Sequence, residues 1–327
     1  MKRIVYREIG NPADVLNIEE IAPRALEAGE ARVAVLATPI HPSNVLKISG
    51  QYGIKPIFPA IPGSEGVGKI MEVAPGVTQV KPGQLVLLLG YSTWQQELIG
   101  PAGSFIPLPD GADVQQLSML AINPLTALCL LEQFVSLQAG DYLVQNAANS
   151  AVGCYLIQLA KQRGIRTINV VRRESAVQGL LDIGADHVLI DGPELTAQIE
   201  QAAEAKPISL AIDAVGGESF TKLTNALSFR GTIVCYGLMS MTEPVLPSGS
   251  VIFKELQVRG FWLTKWFEHA TQQEKHHSLG KLIQLVSSGQ LEATVGRTFS
   301  LEEIKEAVTL AAQEGRDGKV LLLPNPI

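Results

Sequence analysis

The sequence predicts an α/β chain, with a β-barrel-like domain followed by a doubly wound parallel sheet covered by helices on both faces. Three observations carry this. The first hundred residues are short apolar runs cut by Gly and Pro. From about residue 112 strand and helix patterns alternate. The length of 327 residues suits about two domains at roughly 100–200 residues each.

In the first region the runs are Arg32–Leu36, Val67–Val73 and Gln84–Leu89, separated by Pro75-Gly76 and Lys81-Pro82-Gly83. Short strands between turn signals are the pattern of a small β-domain. A Pro-rich bridge, Pro101 to Pro109, closes it. Asp113 is placed to cap a short helix, and Pro124 to open another that reaches about Phe134. Asp141–Gln145 reads as a buried strand. Val152, Leu156, Leu159 and Ala160 follow at helical spacing, and Gly164 stops that helix. Strands are expected at Thr167–Val171, His187–Ile190, Ser209–Asp213 and Gly231–Tyr236, which implies a parallel sheet. A helix from about Ser278 to Ser288 precedes a last strand, Lys319–Leu323, with a path back to the first domain's sheet.

Composition narrows the partner. There are 26 Lys plus Arg against 32 Asp plus Glu, for a net charge of −6. No cationic run is long enough to neutralise a row of phosphates, so nucleic acid is not expected and a small molecule is. With 46% hydrophobic and 18% charged residues the chain is not disordered. At this length it can bury about three quarters of its unfolded surface without a disulfide or metal staple. Cys129, Cys154 and Cys235 read as reduced, buried thiols. The N-terminus lacks a signal-type apolar stretch, and no apolar run approaches the roughly 20 residues that span a bilayer. The expectation is a cytoplasmic protein away from membranes.

The strand at 141–145 runs into Asn146-Ala147-Ala148-Asn149-Ser150-Ala151-Val152-Gly153. Against the fingerprint Gly-x-Gly-x-x-Gly, Ala148 and Ser150 replace two glycines and Gly153 keeps the third. Small residues let backbone approach a diphosphate, and the helix N-terminus receives its charge. At the end of the next strand stand Arg172 and Arg173, where an NAD site has an acid. Guanidinium forks suit a 2′-phosphate, so NADPH is favoured. Glu174, next in line, opposes that phosphate.

Val33 to Asn44, Ile61–Gly68, the phosphate loop and the final strand together resemble the medium-chain dehydrogenase/reductase superfamily, essentially from Val5 to Leu323. Its zinc members carry Cys where this chain has His41-Pro42-Ser43-Asn44, and Gly-His-Glu where it has Gly63-Ser64-Glu65. Both zinc ligands are replaced, so the resemblance is to a zinc-free branch with no metal. Two such branches stay open: 2-enoyl thioester reductases of the mitochondrial type and NADPH:quinone oxidoreductases. Ser92–Glu97, Ile122–Ala127, Val144–Arg172 and Ile252–Leu263 favour the first. A non-catalytic NADPH-binding protein is the reading from another class.

The resemblance implies a GroES-like catalytic domain, residues 1–119 and 265–327, and a Rossmann domain, residues 120–264. Carried residue by residue, the cofactor contacts fall on Asn123, Asn149, Ser150, Ala151, Val152, Arg172 and, secondarily, Arg173. They continue at Tyr236, Gly237, Leu238, Met239, Phe261, Trp262, Leu263, Thr264 and Lys319. The family's usual Asn-Pro-Ser-Asp is His41-Pro42-Ser43-Asn44 here. A homodimer through the 256–263 strand is implied too, since pairing covers an open edge.

Enoyl reduction places hydride on the β-carbon, and the α-carbon then needs a proton. Tyr52 matches the family's proton donor. A phenol of ordinary pKa, about 10, holds its proton at neutral pH and is acidic enough to quench an enolate. A quinone is protonated on oxygen, where water suffices, so a fixed donor matters less there. Trp94 is a candidate wall of the acyl pocket or a core aromatic. His269, His276 and His277 read as a solvated helix face. Asp213 and Glu65 read as structural.

Overall fold

The computed structural model describes residues 1–327 and divides into two units, residues 1–122 with 281–327 and residues 123–280. The second junction falls later than the expected 264, inside the helix Gln272–Ser287. The first half of that helix is polar, with His276 and His277 exposed. Leu279 is buried just before the junction, and Leu282 and Val286 beyond it.

The first unit opens with β1 (Lys2–Val5) and β2 (Asn17–Glu20), an antiparallel pair. Its larger sheet takes β3 (Glu30–Pro39), β4 (Glu65–Val73) and β5 (Leu85–Leu89), with β6 (Glu97–Pro101) and β7 (Ile106–Pro107) alongside. Asp113 caps the helix Val114–Ser118 as expected, accepting from the N–H of Gln115 and Gln116.

The second unit holds β8 (Tyr142–Gln145), β9 (Arg166–Val171), β10 (His187–Ile190), β11 (Ile208–Asp213), β12 (Thr232–Cys235) and β13 (Gln257–Gly260). All pair in parallel, in the order β10-β9-β8-β11-β12-β13. This is the doubly wound arrangement with its switch point beside β8. Val170 and Val171 enter two different core clusters, one with Tyr142 and Phe220, the other with Ile157 and Leu180. That alternation is how a strand fills both faces of a covered sheet.

The chain then returns to the first unit with β14 (Val295–Phe299) and β15 (Lys319–Leu322). β15 pairs antiparallel with β3, Leu321 opposite Pro39, and parallel with β14. One core cluster accordingly joins Ile4, Tyr6 and Ile48 to Phe299, Val308 and Leu322.

Two differences from the sequence reading are local. The strand expected over 256–263 spans only 257–260, and the helix Leu263–His269 follows, with Trp262 at its N-cap position. The helix expected from Ser278 starts at Gln272 instead, where Glu274 accepts from the N–H of Thr271.

Gly153 shows why the phosphate loop keeps its third glycine. A Cβ there would stand 2.4 Å from the Ala148 carbonyl oxygen, which is backbone and cannot swing away. Gly153→Ala is expected to cost about 1–3 kcal/mol, as overpacking does. A lower urea midpoint with unchanged slope checks it.

Candidate active site

The carboxyl ends of β8, β9, β12 and β13 carry nearly all the residues expected to meet a cofactor. After β8 the backbone turns through Ala147, a non-glycine at φ 47°, and enters the helix Ala151–Gln162. Ser150 caps it, its hydroxyl accepting from the Gly153 N–H at 3.2 Å. Asn149 is exposed in the turn, and Ala151 and Val152 open the helix, so the loop presents backbone N–H groups at a helix N-terminus. Arg172 and Arg173 are exposed directly after β9.

Tyr236, Gly237, Leu238 and Met239 follow β12. Gly237 packs so closely that a Cβ would meet the Ala214 carbonyl at 2.9 Å. Burial pushes the Tyr236 phenol up to about 12, against a hydrogen bond with Ser150 that lowers it. Phe261, Trp262, Leu263 and Thr264 follow β13, all half-buried, with the Phe261 ring edge-on to Phe134 at 6.1 Å. Asn123 opens the helix Asn123–Glu132, is 7% exposed, and its Nδ2 has no hydrogen-bond partner. A buried amide donor left open is what a ligand acceptor would satisfy. Together, the open amide, the helix N-terminus, the two exposed arginines and the close glycines fit a phosphorylated dinucleotide.

In the first unit, Tyr52 lies half-buried in the irregular segment after the helix Pro42–Ile48. Apolar side chains flank it, with Ile57 90% exposed and Ile54 and Phe58 also open. Trp94 is fully buried in the core with Ile4 and Tyr6. Of the two readings given for it, this burial favours the core aromatic.

Lys319 is 5% exposed at the start of β15. Its ammonium donates to His41 Nδ1 at 3.1 Å and to the Ile40 carbonyl at 3.4 Å. His41 Nε2 bonds Glu65 Oε1 at 2.7 Å, and Glu65 Oε2 accepts from the N–H of Ala121 and Ile122 at 2.7 and 3.0 Å. The sequence reading took Glu65 as structural; it is fully buried where β4 opens.

These residues do not fit a zinc ion. Both His41 ring nitrogens are engaged, and Ser64, in the place of the family's His ligand, accepts from Asn44 at 2.7 Å. No group of three His, Cys, Asp or Glu stands ready to hold a metal, whereas a zinc site draws on three or four such ligands.

The family described as Alcohol dehydrogenase GroES-like domain matches residues 27–110, and Zinc-binding dehydrogenase matches residues 151–282. Enoyl-[acyl-carrier-protein] reductase, mitochondrial, of Rattus norvegicus is 36% identical over 316 residues, spanning 94% of this chain and 84% of the relative. The solved complex of Etr1p with NADP and crotonyl-CoA superposes with a TM-score of 0.90 at 27% identity, covering 98% of this chain and 99% of that one. A Bacillus thuringiensis protein assigned as an NADPH:quinone reductase superposes at 0.91 with 31% identity, covering 99% of each chain. The mitochondrial names of such relatives do not support the cytoplasmic placement expected above. No helix is long and apolar enough to cross a membrane.

Proposed function

The chain belongs to the medium-chain dehydrogenase/reductase superfamily, and on that premise we propose that it reduces the 2,3 double bond of trans-2-enoyl thioesters with NADPH. The observation that carries this reading is the likeness to enoyl thioester reductases, which runs through both units. Acyl-CoA and acyl-carrier-protein esters share the thioester that the chemistry needs. The reaction is drawn without zinc, in keeping with the donor set around His41.

NADPH, when bound, supplies the hydride that goes to the β-carbon. The protein's part is to hold and to protonate. The turn Asn149–Ser150 and the helix start at Ala151–Val152 offer N–H groups and a positive dipole end to the diphosphate. Arg172, with Arg173 beside it, takes the 2′-phosphate. The open Nδ2 of Asn123 gains an acceptor, and Tyr236–Met239 and Phe261–Thr264 bound the nicotinamide side. Lys319 contributes a further cation. Tyr52 donates its phenolic proton to the α-carbon as enolate charge develops, and the apolar side chains around it suit an acyl substrate.

Quinone reduction is the second reading, favoured by the Bacillus thuringiensis likeness. Tyr52→Phe separates the two, because it keeps the ring and removes only the acid. Crotonyl-CoA turnover by chelator-washed protein, zinc-free by elemental analysis, is expected to fall about 10²–10⁴-fold while any quinone reduction survives. Near-normal crotonyl-CoA turnover in this variant would take the proton donor away from Tyr52.

Arg172→Ala is expected to weaken NADPH by about 1.5–3 kcal/mol and to spare NADH, since a charge-assisted phosphate contact is lost. Equal loss for both cofactors, by fluorescence titration, would assign Arg172 to the strand end alone.

A homodimer through β13 completes the proposal. All four β13 residues are exposed, the strand pairs only with β12, and Ile252 and Phe253 expose apolar surface just before it. Light scattering at micromolar concentration is expected to give twice the chain mass, and a monomer mass would exclude the pairing.

A further inference from the structure

β8 and β11 are neighbours in the sheet, and their carboxyl ends flank its switch point. Asn146 follows β8 and Asp213 ends β11, and each is 1% exposed. Asn146 Nδ2 donates to Asp213 Oδ1 at 2.6 Å and to Ser219 Oγ at 3.2 Å, while its Oδ1 accepts from the Ala214 N–H at 2.8 Å. Asp213 Oδ1 also accepts from the N–H of Val215 and Gly216, and Oδ2 from that of Gly216. The Cys235 thiol bonds the same carboxylate. Burial first and this charge second push that thiol up to about 12, so it keeps its proton.

Every one of these partners is neutral. Buried charges ordinarily meet an opposite charge, yet no Lys or Arg pairs with Asp213. The start of the helix Gly217–Ala226 adds only a partial positive charge. The backbone carries this anion to a particular place. The Asp213 carbonyl accepts from the Tyr236 N–H at 3.0 Å, and the Ala214 carbonyl from the Met239 N–H at 2.9 Å. Asp213 is thus tied to the segment Tyr236–Met239, which bounds the nicotinamide side, and its charge helps burial to raise the Tyr236 phenol.

We propose that the Asp213 carboxylate is an electrostatic element of the hydride-transfer site, one that favours the cationic nicotinamide of NADP⁺ over the neutral ring of NADPH. The inference rests on the NADPH reading above and deepens it. Reduction moves a hydride, with both electrons of its bond, to the β-carbon of the substrate and leaves one positive charge on the ring. A fixed anion stabilises that charge as it develops. It needs no reorganisation, because Asn146 and the turn Ala214–Gly216 hold it in place beforehand.

Unit charges about 10–15 Å apart in an interior of effective dielectric about 20 change an equilibrium by a factor of about six to sixteen. The donors on Asp213 absorb part of this, so removing its charge is expected to shift the preference about three- to tenfold. Calorimetric titration of the full chain reads the ratio of the Kd for NADP⁺ to the Kd for NADPH, which sets the potential of the bound couple. The parent is expected to hold NADP⁺ at least as tightly as NADPH. In Asp213→Asn, whose amide oxygen can take the place of Oδ1, the ratio should rise about three- to tenfold. Asp213→Glu changes the shape and keeps the charge, so it should weaken both forms alike and leave the ratio unmoved. Should Asp213→Asn not fold, Asp213→Ser makes the same test with a smaller neutral side chain. Equal losses for both forms in the neutral variant are what a merely structural Asp213 gives, and they would overturn the proposal. A parent that binds NADPH more than about tenfold more tightly than NADP⁺ would overturn it with no variant at all. A parent that binds neither form removes the cofactor reading and this inference with it, whereas an unmoved ratio refutes the inference alone.

Discussion

Six strands running in one direction put six carboxyl ends on one edge of one sheet, and most of what the second unit offers a ligand follows from that. Side-chain chemistry is secondary to this constraint. The loop after β8 presents backbone N–H groups at a helix start, a geometry that needs small residues more than glycines, and Ala148 and Ser150 meet it. Only Gly153 is fixed, because its own backbone presses on the Ala148 carbonyl. Arg172, Tyr236 and Phe261 reach the same edge because β9, β12 and β13 all point there.

Two buried carboxylates act as staples where strands end. Asp213 Oδ1, closing β11, accepts from Asn146 at 2.6 Å and from the N–H of Val215 and Gly216. Glu65, opening β4, accepts from His41 and from the N–H of Ala121 and Ile122. A buried charge is costly unless its lone pairs are filled. Here backbone donors fill them, so each acid fixes a turn that the regular hydrogen-bond ladders leave loose.

The fold was legible because period and punctuation are local. Val170-Val171, Gly164 and Asp113 state their roles within a few residues, and a path of the last strand, Lys319–Leu323, back to the first domain's sheet was suggested by its separation from the alternating region. For the candidate site, the sequence placed Asn149–Val152 at a helix start and Arg172 at a strand end, because those placements are local. It was opaque where long-range packing decides. Nothing near Trp94 in sequence says that Ile4 and Tyr6 will enclose it. Nothing near Lys319 says that its amine will meet a histidine 278 positions away. The expected boundary at 264 and the division at 280 lie on either side of the polar start of the helix Gln272–Ser287, where the sequence pattern shows no break.

The pairing of β15 with β3 also sets an order of assembly on the ribosome. Residues 123–280 contain every strand of their own sheet, so that unit can fold as soon as it has emerged. The first unit emerges earlier yet waits for residues 319–322, which must insert between β3 and β14. Until then one edge of β3 lacks its β15 partner, together with the apolar side chains that Phe299 and Leu322 will later cover. Such an edge invites pairing with the wrong chain. Residues 319–322, far along the chain, therefore close the sheet that β3 begins.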